Sequence, residues 1–179
     1  MVLVDAGTGG GSGIVISNTE ILTAEHIITG SASATVSIDG VGLRTATVYG
    51  YDSQRDIALL RLIEPAVGAT IAEINAQEEP VDTGDPVVAI GFTDMSATSP
   101  TITFGYTSGR TYFSSSQQNI FRFDAIVNPG DSGGGVFDRD GQLVGLILGR
   151  HSTVEAVSYA ARLITIREVL PALRQGTKR

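Results

Sequence analysis

The sequence predicts an all-β fold, and three features carry that expectation. First, the 179 residues break into short apolar or alternating runs separated by glycine and polar turns. The runs are "GIVIS", "EILTA", "ATVSIDG", "LRTATVYGYD", "DIALLRL", "PVVAIGF", "TITFGYTSGR", "IFRFDAIV", "GGGVFD", "QLVGLILG" and "AVSYAARL". Punctuation at this spacing is that of a β-sandwich or barrel. Second, "DRDG" lies between the runs ending at Phe137 and beginning at Gln142, and reads as a hairpin turn in which Gly141 supplies the positive φ. Third, a helical pattern occurs only near the end of the chain, in "TIREVLPALR".

Taken in chain order, "VLVD" reads as a strand that runs into the glycine-rich "AGTGGGSG", expected to be a flexible turn before the strand "GIVIS". The runs through "DIALLRL" form a first half, up to about residue 78. "EINAQEEPVDT", residues 73–83, has a proline, several acids and little strand character, and reads as a linker. A second half follows over residues 79–164. Residues 165–179 then form a helix and tail. Thr165 with Glu168 three residues later has the form of a capping box, and Ile166, Val169, Leu170 and Leu173 share one face. Pro171 is expected to kink or shorten this helix. No internal repeat is legible.

Composition narrows the function. A net charge of −7 argues against a general nucleic-acid binder, which needs a basic surface to neutralise phosphate. No apolar run is long enough to span a bilayer, and "MVLVDAG" lacks the basic start of a signal peptide. The chain has no cysteine, so it has neither a disulfide framework nor a thiolate nucleophile, and is compatible with the cytoplasm or with export of a longer precursor. "GTGGGSG" lacks dinucleotide-binding spacing because Ser12 stands where the third glycine is needed, and no helix pattern follows to hold a phosphate. Two histidines without cysteine make a poor metal set, so neither a metal nor any other cofactor is expected.

Acyl transfer needs a nucleophile, a base, an acid that orients the base, and donors for an oxyanion. Only His26 and His151 can supply an imidazole. His26 follows an apolar strand in "ILTAEHII", and Asp56 opens "DIALLRL", where the strand behind it draws the carboxylate partly inward. Each residue alone has an ordinary reading as a packed or surface group. "NPGDSGGGVFD" places glycines around Ser132 at a density that implies a sharp turn or a close approach.

Together, "LTAEH", "DIALL" and "NPGDSGG" resemble the histidine, aspartate and serine motifs of the chymotrypsin-like serine proteases, in particular the HtrA/Deg branch. The order is that of the family, with separations of 30 and 76 residues. "GSGIVIS", "GDPVVAIGF", "TITFGYTSGR" and "GQLVGL" look like framework segments of the same branch. The resemblance extends over nearly the whole chain up to the last helix. It implies two six-stranded antiparallel β-barrels with an active site in the cleft between them. It also implies cofactor-independent hydrolysis of polypeptides by Ser132, with His26 as base, Asp56 as its orienting acid, and the N–H groups of Gly130 and Ser132 as oxyanion hole. Gly133 and Gly134 would let strands pack closely behind the nucleophile. By motif matching, the S1 pocket falls on Ile126, Leu148, Gly149, Arg150 and Val157, with Ile126 at its base, which implies a small or medium apolar P1 residue. An acidic P1 residue recruited by Arg150 and His151 is the competing reading.

The chain departs from the family pattern at three positions. Glu25 stands where a small residue is usual, Gly135 replaces a proline, and Asp131 resembles the digestive enzymes rather than the HtrA branch. With no Ile-Val-Gly-Gly-like start to insert beside Asp131, other donors are expected to satisfy it. Nothing after the helix could form a PDZ domain, so the chain is expected to be either a protease without one or a domain excised from a longer protein, and the short segment before the first strand favours a monomer. A catalytically silent peptide-binding or regulatory domain, and an esterase on the same fold, are the alternatives to a protease.

Overall fold

The computed structural model describes residues 1–74, 81–114 and 118–179. Among these, twelve strands close into two six-stranded antiparallel barrels, as the resemblance implied. The first comprises β1 (Val2–Asp5), β2 (Gly10–Ser17), β3 (Glu20–Thr23), β4 (Ser33–Ile38), β5 (Gly42–Asp52) and β6 (Ile57–Leu62). The second comprises β7 (Pro86–Gly91), β8 (Thr101–Phe113), β9 (Gln118–Phe123), β10 (Gly135–Asp138), β11 (Leu143–Arg150) and β12 (Ser158–Arg162). The order around the first barrel is β1-β2-β3-β6-β5-β4, and around the second β7-β8-β9-β12-β11-β10. One strand order is thus used twice, a repeat of architecture that the side chains do not reveal.

Alternation explains which faces are buried. In β5 the residues Ala46, Val48 and Gly50 point inward while their neighbours are partly or fully exposed. Val4, Ile21, Val36, Ala58 and Leu60 fill the first barrel, and Val87, Phe121, Phe123, Val136 and Ile147 fill the second. A third cluster lies where the barrels meet the C-terminal helix. It combines Ile14, Leu22, Ile57 and Leu59 with Leu146, Ala161, Leu163, Ile166 and Leu170. Each large aliphatic side chain removed from water there contributes about 1.5–3 kcal/mol. The "DRDG" hairpin forms as expected, with Gly141 at φ +78° and its N–H donating to Asp138 O.

Five expectations need correction or limitation. The C-terminal helix α2 spans Leu163–Leu173, its N-cap is Arg162, and no side chain caps it. Thr165 is fully buried inside the first turn and donates its hydroxyl to Asn119 O (3.1 Å), so the capping box is absent. Burial of Leu163 directly after β12 starts the helix early. Pro171 lies on its exposed side, and the helix continues two residues beyond it. The "AGTGGGSG" segment is not a turn throughout, because Gly10–Gly13 pair with β1 as part of β2. "IFRFDAIV" leaves the sheet after Phe123, where Asp124 Oδ1 accepts the Tyr106 N–H (2.6 Å). The proposed boundary at 78/79, and most of the linker, lie outside the described residues.

Candidate active site

The His26–Asp56 pair is built entirely on the first barrel. After β3 the chain enters a single helical turn, α1 (Glu25–Ile28), through extended Ala24. Ile27 and Ile28 are buried beneath it, which turns His26 outward. Asp56 precedes β6, whose first residue, Ile57, is fully buried. The Asp56 carboxylate accepts both the His26 backbone N–H (Oδ1, 2.9 Å) and the ring, with Nδ1 2.8 Å from Oδ2 and 3.1 Å from Oδ1. Because a carboxylate can only accept, Nδ1 carries the ring proton, and Nε2 of the neutral imidazole is left as a proton acceptor. Asp56 has φ +55°, a left-handed conformation that aspartate tolerates better than most residues, and its contacts to His26 hold it there. The hydrogen bond that the ring donates to Asp56 pushes the His26 pKa above its ordinary value. Partial burial opposes this, and the negative charges of Asp56 and Glu25 add to it.

The second barrel supplies the serine. Asn128–Asp131 form a turn closed by the Asp131 N–H to Asn128 O (3.0 Å). Pro129 takes its second position and Gly130, at φ +100°, its third, the residue types a type II turn requires. Among the described residues, the N–H groups of Gly130 and Ser132 meet no protein acceptor. Ser132 Oγ donates to Leu148 O (3.2 Å), and among the described residues no hydrogen bond joins it to His26. The β-bulge between Ile147 and Gly149 aims that carbonyl toward the serine. A side chain at 133 would strike the Ser12 carbonyl and Thr23 hydroxyl, and one at 134 the Ile90 and Asp131 carbonyls. The glycines after Ser132 thus allow close packing, as expected. Gly135 enters β10 paired with both Leu146 and Ile90.

Asp131 finds its donors in the Asn128 N–H (2.8 Å) and the Thr93 hydroxyl (3.1 Å), while its burial raises its pKa against those bonds. Ser12, which the sequence reading placed in a mere turn, proves to be a hub. Its hydroxyl donates to Gly130 O (2.7 Å) and accepts the Phe92 N–H (2.7 Å). Its own N–H donates to Ser132 O (2.9 Å), and its carbonyl accepts the Thr23 hydroxyl (2.7 Å). The overlooked signal was a lone hydroxyl among glycines small enough for close approach. A side chain at 11 would meet Ile27 and the Ser132 carbonyl.

Of the residues expected around S1, Ile126 is 64% exposed, while Val127 beside it is buried in the barrel. Ile126 therefore presents an open apolar surface rather than a closed pocket base. Leu148 and Val157 are half-buried and Arg150 is exposed. His151 contributes to its own loop, with Nδ1 accepting the N–H groups of Thr153 (3.2 Å) and Val154 (3.1 Å) and its backbone N–H donating to Val157 O. Glu25 bonds the Thr29 hydroxyl (3.3 Å).

Paired barrels with a histidine–aspartate couple on one and a glycine-framed serine on the other define a class of peptidase fold. The trypsin-like peptidase domain family matches residues 11–146, and the chain belongs to that family. It is 34% identical over 154 residues to the serine protease Do-like HtrA of Bacillus subtilis, covering 79% of this chain and 34% of that protein. It is 35% identical over 145 residues to a probable periplasmic serine protease do/HhoA-like of Haemophilus influenzae, covering 77% and 30% respectively. The chain thus spans about a third of the length of these relatives. The crystal structure of the serine endoprotease from Yersinia pestis superposes with a TM-score of 0.83 at 27% identity, covering 97% of this chain and 62% of that one. The Rv3671c protease of M. tuberculosis, in an inactive form, gives a TM-score of 0.82 at 24% identity over 96% and 87%. Among the described residues no helix is long and apolar enough to cross a membrane.

Proposed function

We propose that this chain is a serine endopeptidase that cleaves peptide bonds through an acyl-enzyme, with Ser132 as nucleophile, His26 as general base and Asp56 as the group that orients it. The observation that carries this reading is the His26 Nδ1–Asp56 contact at 2.8 Å, together with a serine framed by two backbone N–H groups that meet no protein acceptor among the described residues. Ser132 Oγ leaves Leu148 O, rotates toward His26 and attacks the scissile carbonyl carbon while its proton passes to Nε2. The N–H groups of Gly130 and Ser132 hold the resulting oxyanion, a contribution worth ~10²–10³ in rate per donor. As the tetrahedral intermediate collapses, the C–N bond breaks and His26 returns the proton to the leaving amine. Water then attacks the ester with His26 again as base, releasing the acid and restoring Ser132. No cofactor enters any step.

Around S1, Ile126, Leu148, Gly149, Arg150 and Val157 favour a small or medium apolar P1 side chain. An isoleucine at 126 gives a P1 lysine or arginine no ion pair, whereas its exposed apolar surface offers contact to an apolar side chain. An acidic P1 residue recruited by Arg150 and His151 is the competing reading, because Nδ1 of His151 accepts from Thr153 and Val154 and Nε2 then carries the ring proton as a donor. Profiling cleavage of a denatured protein mixture decides the point, and a dominant Lys/Arg or Glu signature overturns the apolar assignment.

One observation favours a second reading, a silent or conditionally active peptide-binding domain: Ser132 Oγ bonds Leu148 O rather than His26. Labelling with a fluorophosphonate and mass mapping separates the two. Modification of Ser132 alone, abolished in Ser132→Ala and His26→Ala, supports the peptidase. An unreactive native protein supports the silent domain.

A further inference from the structure

We propose that Ser12 is a positioning residue for the oxyanion hole, fixing through its buried hydroxyl and its backbone N–H the two peptide groups that flank the Asp131–Ser132 peptide. The inference rests on the assignment of Gly130 and Ser132 above, and extends it to a residue in the other barrel.

The hydroxyl is fully buried and has one proton. The Phe92 N–H can only donate and the Gly130 carbonyl can only accept, so the hydroxyl has one possible orientation, toward Gly130 O. This bond fixes the Gly130–Asp131 peptide. The Ser12 N–H, bonded to Ser132 O, fixes the Ser132–Gly133 peptide. Between them lies the Asp131–Ser132 peptide, whose N–H is one proposed oxyanion donor. The other donor, the Gly130 N–H, lies on the same residue as the carbonyl that Ser12 holds. Gly130, at φ +100° and without a side chain, has few steric restraints of its own, so its peptide direction has to be set by such bonds.

Ser12 lies in β2, while Phe92 directly follows β7 of the second barrel. The alignment of the donors is therefore tied to the seating of one barrel on the other. Removing the hydroxyl leaves two polar groups, the Phe92 N–H and the Gly130 carbonyl, without their partner. The carbonyl then gains by turning toward water or another donor, which swings its peptide plane out of place. Misplacement of about 1 Å in a reacting constellation costs up to ~10²-fold in rate.

The test compares Ser12→Ala with the native protein, using a fluorogenic peptide, a peptide boronate that forms the tetrahedral anion, and the product peptide. The expected result is a kcat lower by about tenfold to a hundredfold with KM within about threefold. Boronate affinity falls in parallel, and product-peptide affinity is unchanged. A merely structural role would lower all three signals together or lower only Tm. Unchanged kcat and boronate affinity overturn the proposal. If Ser12→Ala does not fold, Ser12→Cys replaces it, being close in size but a weaker donor and acceptor. It is expected to lose kcat and boronate affinity together, and full retention of both overturns the proposal. Full turnover in Ser132→Ala, by contrast, sinks the underlying peptidase assignment and leaves a distinct signature.

Discussion

In the first barrel the link between the third and fourth strands carries His26, and the link between the fifth and sixth carries Asp56. In the second barrel the corresponding links carry Ser132 and His151. The positions are equivalent, but the groups that matter differ in kind. The first barrel presents chemistry made by side chains, with an imidazole and a carboxylate joined by short hydrogen bonds. On the proposed assignment the second presents chemistry made mostly by backbone, with the N–H groups of Gly130 and Ser132 aligned by a turn that proline and glycine shape. His151, at the counterpart of Asp56, spends its ring bracing its own loop. Side-chain chemistry should therefore be lost in steps as atoms are replaced, whereas backbone chemistry should be lost through conformation.

The largest effect tests whether the two halves act as one unit. Ser132→Ala and His26→Ala are each expected to lower kcat by up to ~10⁶, and the double variant no further, because residues acting together are non-additive. Titration of a peptide substrate with single and double variants measures this, and independent, multiplying losses would break the unit apart. Asp56→Asn comes next, with a loss of about 10⁴ in kcat. Because the proposed base must be neutral, the raised pKa of His26 is expected to put the acid limb of kcat/KM above pH 6.5, its ordinary value. Removing the Asp56 charge should move that limb downward. The same pair stabilises the fold fully below the unfolded pKa of histidine, and this contribution is lost as pH rises through the folded value. The cost of Asp56→Asn in Tm should accordingly be greater at pH 6 than at pH 9.

Gly130→Ala addresses the backbone half. Its side chain would meet the Phe92 carbonyl and must sit at φ +100°. A kcat loss of ~10²–10³ with normal His26 titration is expected, read by kinetics and by NMR of the imidazole. His151→Ala should leave fluorophosphonate labelling largely intact, and loss of labelling would show that the second barrel also contributes a side-chain base. The smallest effect is at Asp131. Its folded pKa is raised by burial, so the charged form destabilises the native state, and stability falls as pH rises through that folded pKa. Asp131→Asn keeps an acceptor for the Asn128 N–H and should be tolerated in activity. It should raise Tm slightly at neutral pH and leave it unchanged at pH 2.

Much of this architecture was legible because its signals are local. Alternation marks the strands, and the motifs around His26, Asp56 and Ser132 each lie within a few residues. Relations between distant segments were not legible. Nothing near Ser12 in the chain reveals that Phe92 and Gly130 converge on its hydroxyl, since glycine neighbours are equally common in loops. The early start of α2 follows from burial of Leu163 against the barrels, and a capping pattern at Thr165 cannot compete with it. Ile126 was placed by motif distance alone. Its exposure is set by the alternation of Ala125 and Val127 into the core, one residue out of phase with that count.

The third apolar cluster has a consequence for how the chain is made. Ile14, Leu22, Ile57 and Leu59 belong to the first barrel, yet they are covered by Leu146, Ala161 and the apolar face of α2. Glu20 in β3 pairs with Arg174 just beyond that helix (2.7 Å), and Asp52 at the end of β5 pairs with Arg179 (2.9 Å). During vectorial synthesis the first barrel can close its strands as soon as β6 has emerged. Its outer apolar surface stays wet for roughly the next hundred residues, about 5–20 s at ordinary elongation rates. Contacts this distant in sequence also form slowly once the whole chain is available. The nascent protein thus passes through a stage in which the half bearing His26 and Asp56 is folded but adhesive, and the last strands and helix arrive as its cover.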